Sequence, residues 1–404
     1  MNLLINFIFN IKFTLIMLII IPLVLYLSTI IRVTKYPKTN KFMIRFSGGR
    51  LIIYLIMLFF SFNALAQDPH FSQFYASPMT LNPAMTGAIP GYIRVAGNFR
   101  SQWAAVSTPF YTASAAMDMK ILTSRGMQDY DTHNFLGVGL MALTDQSNNG
   151  ALKANYTSLS VSHNQQLDRL GNYRLSAGLQ GTYVNKALDY SKLTFGQQLT
   201  PYGYDINLPN GEPRPGFNLN YLDYQAGILF SGRTDERGSM WYIGSSVYHI
   251  SQPNESTTGQ YNPLKHRIVV HGMYNYPVDD LNRVYISALY MKSNFMEERT
   301  IGVVYSANID GLEDENFVGR SVQFGAWYRL KDAIIPYVGL QLNAYKIGLT
   351  YDVNVSTLST ASNFRGGFEL TMVYNFMDDD NARLLSKMLC PARSHKSYVK
   401  WWGY

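Results

Sequence analysis

Residues Phe364–Phe376 read FRGGFELTMVYNF. Phe364, Gly366, Phe368, Leu370, Met372, Tyr374 and Phe376 alternate with Arg365, Gly367, Glu369, Thr371, Val373 and Asn375. A strand sends successive side chains to opposite faces, so this alternation defines one apolar face with aromatic ends and one polar face. Tyr173–Tyr183 repeats it, with Tyr173, Leu175, Ala177, Leu179 and Tyr183 opposite Arg174, Ser176, Gln180 and Thr182. Val322, Phe324, Ala326, Tyr328 and Leu330 oppose Ser321, Gln323, Trp327 and Arg329. Val284, Ile286, Ala288 and Tyr290 form a further apolar row, as do Ile334, Val338, Leu340 and Leu342. No helical stripe of comparable regularity occurs between Gly91 and Phe376.

The pattern predicts strands near residues 91–103, 109–120, 134–143, 152–163, 173–185, 220–231 and 240–250. It continues near 265–276, 283–291, 299–308, 319–330, 333–342, 345–353 and 364–376. The fold class that follows is all-β: an antiparallel transmembrane β-barrel of the outer-membrane type with about 14 strands, lipid outside and a polar lumen inside. Tyrosines near strand ends suit aromatic girdles at the two membrane interfaces. An even strand number places both termini in the periplasm and the long connections 186–219 and 252–264 outside. A soluble β-sandwich would also alternate, but the aromatic load, the strand number and an export signal argue against it.

That signal lies upstream. Met43–Arg50 is a short basic region, Leu51–Phe62 is apolar, and Ala64–Leu65–Ala66 fits a cleavage site before Gln67. Phe13–Ile31 is a second apolar run, long enough for a membrane helix. The favoured reading starts translation at Met43 and treats 1–42 as a mis-called extension. The competing one is an inner-membrane anchor, which would conflict with an outer-membrane barrel. The expected organisation is therefore 1–42 extension, 43–66 signal peptide, 67–90 periplasmic segment or plug, 91–376 barrel and 377–404 periplasmic tail. The formal charge is +7, and the first 66 residues hold seven bases and no acid, which is the whole excess. The basic balance leaves with the leader and is no argument for nucleic acid. A single cysteine, Cys390, excludes an internal disulfide framework and a cysteine-based zinc site.

No cofactor is expected. The seven histidines show no metalloprotease spacing. Ser162 beside His163 suggests a lipid-cleaving pair, but adjacent strand residues point to opposite faces, so no enzyme is expected. Arg94, Arg100, Arg174, Arg329, Arg365 and Glu369 are lumen-facing candidates, read as interior ion pairs that stiffen the wall and hold a plug rather than as a selectivity ring. His249 ends a strand, and Pro253 opens a loop where no ladder donor is needed. Trp401 and Trp402, in a tail the wall does not require, are candidate partner anchors.

Several stretches together resemble the PorP/SprF family of Bacteroidota outer-membrane proteins. These are Gln67–Gly87, including Leu81–Asn82–Pro83–Ala84; Asn98–Trp103 (NFRSQW); Ser246–Asn254; Ala326–Pro336; Gly348–Leu358; Gly366–Tyr374; and Leu389–Cys390–Pro391. The resemblance implies a 14-stranded outer-membrane barrel tied to type IX secretion and, in some members, gliding motility. It also implies partners: periplasmic ring lipoproteins and/or a secreted adhesin that carries a C-terminal sorting domain. Asn82, Pro83, His249, Pro253, Cys390 and Pro391 are the partner-binding candidates on the matching segments. A diffusion channel for small or apolar solutes is the alternative function.

Overall fold

The computed structural model describes residues 68–376, apart from residues 90, 107, 123–133, 169–170, 213–215, 234–238, 257–260, 280, 295, 310–318 and 358. The expected extension, signal peptide and tail lie outside the described residues. So do Cys390, Pro391, Trp401 and Trp402. The segment from Pro69 and the barrel form one compact unit.

Sixteen strands follow in chain order: β1 Ile93–Gln102, β2 Phe110–Leu122, β3 Phe135–Ser147, β4 Leu152–Gln166, β5 Tyr173–Asp189, β6 Leu199–Thr200, β7 Gly203–Tyr204, β8 Gly216–Arg233, β9 Met240–Tyr248, β10 Arg267–Pro277, β11 Arg283–Ser293, β12 Met296–Asn308, β13 Ser321–Arg329, β14 Ala333–Leu342, β15 Tyr345–Asn354 and β16 Arg365–Phe376. Fourteen of them pair antiparallel with their neighbours, and β1 pairs with β16 to close the barrel. β6 and β7 form a separate small hairpin in the β5–β8 connection. Tight turns use residues that accept left-handed backbone: Asn148, Asn149 and Gly150 join β3 to β4 with φ of 50°, 55° and 74°.

The alternation read from sequence divides the wall. Leu159, Leu179, Ile228, Ile243, Phe324 and Val338 face outward and are at least half exposed, a band that only lipid can cover. Exposed tyrosines sit at both rims, Tyr173, Tyr276 and Tyr345 at one end and Tyr111, Tyr328 and Tyr351 at the other. No helix among the described residues is long and apolar enough to cross a membrane; the crossing is made by strands.

Bacterial barrels carry short turns inside and longer loops outside. The end holding Ile93, Phe376 and the turn between Leu342 and Tyr345 is therefore the inner end. The long β5–β8 and β9–β10 connections lie at the outer end. β5 and β8 run further than the sequence pattern marks, to Asp189 and from Gly216. In the outer part of β8 the alternation reverses polarity, with Asn218 and Asn220 exposed and Phe217, Leu219 and Tyr221 on the inward face.

Two expectations about the wall need correction. Arg365 is exposed on the outer face rather than in the lumen. The pairing of β15 with β16 shifts between Asp352 and Val353, so Val353 meets Arg365 and Gly366 is skipped. This bulge inserts one residue and inverts the alternation beyond it. The interior is also less polar than expected: Leu229, Leu289, Val304, Trp327, Ile335 and Tyr337 point inward and are buried in a cluster with Phe74, Tyr75, Leu81 and Met85.

Candidate functional site

The lumen is filled by the chain's own residues 69–89. Short turns cross it: Phe74–Ala76, a single α-turn at Pro78–Leu81, and Pro83–Met85. Four prolines in 69–90 prevent one continuous helix, so the segment folds as separate turns. Without a ladder of its own, its backbone must find partners on the wall.

Those partners define its path. At the outer end, Arg100 Nη1 donates to the His70 carbonyl at 2.6 Å, and His70 lies 3.1 Å from Glu298. The Glu369 carboxylate accepts the backbone N–H groups of Ser72 and Gln73 at 2.7 and 2.8 Å. Mid-lumen, Tyr75 stacks on Trp327 with centroids 5.4 Å apart. Tyr248 and Ser246 donate to the carbonyls of Thr80 and Leu81 at 2.9 and 2.8 Å. At the inner end, Ser162 donates to the Thr86 carbonyl at 2.6 Å, and Gly87 N–H donates to Asp118 at 2.7 Å. The segment thus enters at the outer mouth and leaves at the inner one, where it leads into β1. Of the two readings of 67–90, periplasmic segment or plug, the described residues 69–89 take the second, with His70 at the outer end.

Ion pairs hold this path. Arg100 and Arg329 both contact Asp352, at 2.9 and 3.1 Å, and Arg329 also donates to the Ser72 hydroxyl at 2.8 Å. Glu298 and Glu369 complete the cluster, 3.4 Å from Arg329 and 3.8 Å from Arg100. Burial makes lone charges costly, and here two guanidinium groups are shared among three carboxylates, so that each charge has an opposite one beside it. Arg94 grips Asp118 with two bonds, at 2.9 and 2.8 Å. Arg174 is buried with its guanidinium 4.8 Å from the Phe135 ring centroid.

Asn82 and Pro83 are buried inside the barrel, which leaves them no partner surface. The Asn82 side chain caps Ala84 N–H at 2.9 Å and donates to the Ile228 carbonyl at 2.9 Å. The wall makes room for these turns. A Cβ on Gly178 would overlap Pro83 and Ala84, and one on Gly137 would overlap Thr86.

The outer loops carry a second cluster. His249 Nδ1 lies 2.8 Å from Asp223, with His249 in left-handed backbone at φ 60°. The Pro253 carbonyl accepts Leu264 N–H at 2.9 Å, and the His249 carbonyl accepts Gln252 N–H at 3.0 Å. His249 and Pro253 therefore tie the base of the β9–β10 loop. Glu255 of that loop is buried against Lys186 and Tyr221.

The sequence reading missed Asp118, His271, Glu298 and Asp352, which do as much as the arginines it singled out. Each lies at an inward position of its strand, a signal that alternation carried. Ser162 is buried and His163 exposed, as alternation requires.

A family model described as type IX secretion system membrane protein PorP/SprF matches residues 63–374. The chain belongs to that family. The motifs that resemble it sit where plug meets wall: Asn82, Arg100, Asp352 and Glu369 each fall in one of them. No curated protein matches. Among solved structures, a FadL homologue from Pseudomonas aeruginosa aligns at 11% identity, covering 73% of this chain and 93% of that one, with a TM-score of 0.40. The Ralstonia pickettii toluene transporter TbuX aligns at 8% identity over 74% of this chain and 92% of its own, with a TM-score of 0.39. The CymD monoaromatic hydrocarbon channel aligns at 11% identity over 75% and 93%, with a TM-score of 0.36.

Proposed function

We propose that this outer-membrane barrel works as a closed docking component of the type IX secretion or gliding apparatus, without catalysis. One observation carries the reading: residues 69–89 fill the lumen and are bonded to the wall from one mouth to the other. Between plug and wall, beside Tyr75, Arg94, Tyr242 and Lys346, lies a cavity of about 40 Å³, with room for a few waters. The barrel then serves by position. Its inner end meets periplasmic ring lipoproteins, and its outer loops meet an exported adhesin with a C-terminal sorting domain.

The test is affinity purification from detergent-solubilised membranes with quantitative mass spectrometry. Reproducible recovery of a periplasmic lipoprotein and an exported surface protein, both lost on denaturing the barrel, supports docking. Recovery of neither, from folded barrel, contradicts it.

A further inference from the structure

β5 and β8 are the longest strands, and β8 outruns its other neighbour. It pairs with β5 along Gly216–Gly232 but with β9 only from Ala226 to Arg233. Residues 216–225 therefore rise beyond the outer end of β9 with one edge paired and one edge without a ladder. Ile250 N–H donates to the Tyr224 carbonyl on that second edge at 3.1 Å, and the Ser251 hydroxyl reaches the Leu222 carbonyl at 3.3 Å. Backbone groups alternate from side to side along an antiparallel strand. The N–H and C=O of Asn218, Asn220 and Leu222 therefore point the same way as Tyr224. No described residue outside β8 bonds the backbone of Asn218 or Asn220 on this side.

Exposed edges are usually blunted by lysine, proline or a bulge. Phe217–Leu222 reads FNLNYL, without charge or proline, and its pairing with β5 is unbroken. The strand is also held straight. Asn185 Nδ2 donates to the side-chain oxygens of Asn218 and Asn220 at 2.7 and 2.6 Å, and Tyr183 donates to Asn220 at 3.1 Å. A braced, uncharged edge whose Asn218 and Asn220 backbone groups are bonded by no described residue on this side matches one kind of ligand, an extended backbone.

We propose that the Gly216–Leu222 edge of β8 takes up an extended, uncharged segment of an exported polypeptide as an added strand. The proposal rests on the docking reading above and deepens it. The edge lies at the outer end, beside both long loops. Phe217, Leu219 and Tyr221 share the face that points over the barrel mouth, so the added strand presents apolar side chains there and polar ones beside Asn218 and Asn220. A second copy fits poorly. Two copies upright in one membrane would bring like groups to the same height, N–H against N–H.

The experiment uses the folded full-length protein and the purified C-terminal domain of the adhesin recovered with it. Asn220→Pro removes the edge donor while the β5 ladder, which uses residues 219 and 221, is kept. Asn220→Ala keeps the backbone and removes the side chain. The expected result is binding at least tenfold weaker for Asn220→Pro than for Asn220→Ala, whose own loss measures the side-chain bracing alone, and slowed amide exchange at Asn218, Asn220 and Leu222 in the wild-type complex. Undiminished binding by Asn220→Pro, an equal loss in Asn220→Ala, or unchanged exchange overturns strand addition while leaving docking standing. If Asn220→Pro does not fold, the exchange result in wild type decides. Absence of binding by the wild type overturns the docking reading and this proposal with it.

Discussion

Asn82 and His271 meet in the middle of the lumen, with Asn82 Nδ2 3.0 Å from His271 Nε2. One belongs to the plug and the other to the wall, and both are buried. The same amide also caps the following turn, so a single side chain both shapes the plug and fastens it. Asn82→Ala leaves buried groups of Ile228 and Ala84 without this partner. The expected cost is about 1–3 kcal/mol. Thermal melting of the detergent-purified barrel checks it, and an unchanged midpoint would mean the plug is held elsewhere.

Arg100 is the outer anchor. It serves Asp352, the His70 carbonyl and, at longer range, Glu369. Arg100→Met leaves buried carboxylates undercompensated, at a cost of roughly 3–5 kcal/mol. Arg100→Met combined with Glu369→Gln removes one of those charges and should recover part of the loss. A double variant no more stable than Arg100→Met would show that Glu369 and Arg100 are not coupled.

The wall was legible in the sequence because lipid enforces a strict period of two. Leu370 faces out and Glu369 faces in, as alternation along Phe364–Phe376 indicates. Arg365 escaped because a bulge is invisible to periodicity. The plug was legible as a proline-broken segment too long to be fraying, yet its direction was not. Contacts such as Ser72 with Glu369, 297 residues apart, leave no local pattern. Asn82 and Pro83 stood out as a motif, but a motif does not say whether it faces a partner or the interior of its own barrel.

Register has its own test. Leu370→Arg places a cation against lipid and should cost roughly 2–4 kcal/mol near the membrane midplane, lowering the yield of inserted barrel. Glu369→Gln should insert normally and instead loosen the bonds to Ser72 and Gln73. Equal membrane yield from Leu370→Arg and wild type would show that the assigned faces are reversed.

Close approach between wall and plug is tested at two glycines of β5. Gly178→Val has no room beneath Pro83 and Ala84, whereas at Gly181 the nearest heavy atom to an added Cβ is a Tyr224 ring carbon at 3.8 Å. Overpacking of this kind costs about 1–3 kcal/mol. Gly178→Val should make residues 69–89 sensitive to limited proteolysis, and Gly181→Ala should not. Equal resistance in both would mean that the plug does not seat on β5.

The central claim is that the barrel is closed by its own N-terminal segment and acts by docking. Planar-bilayer recording tests it most directly, comparing the intact protein with a variant lacking residues 69–89. The account predicts little steady conductance from the intact protein and a clear rise on deletion. A large, open, solute-selective current from the intact protein would contradict it.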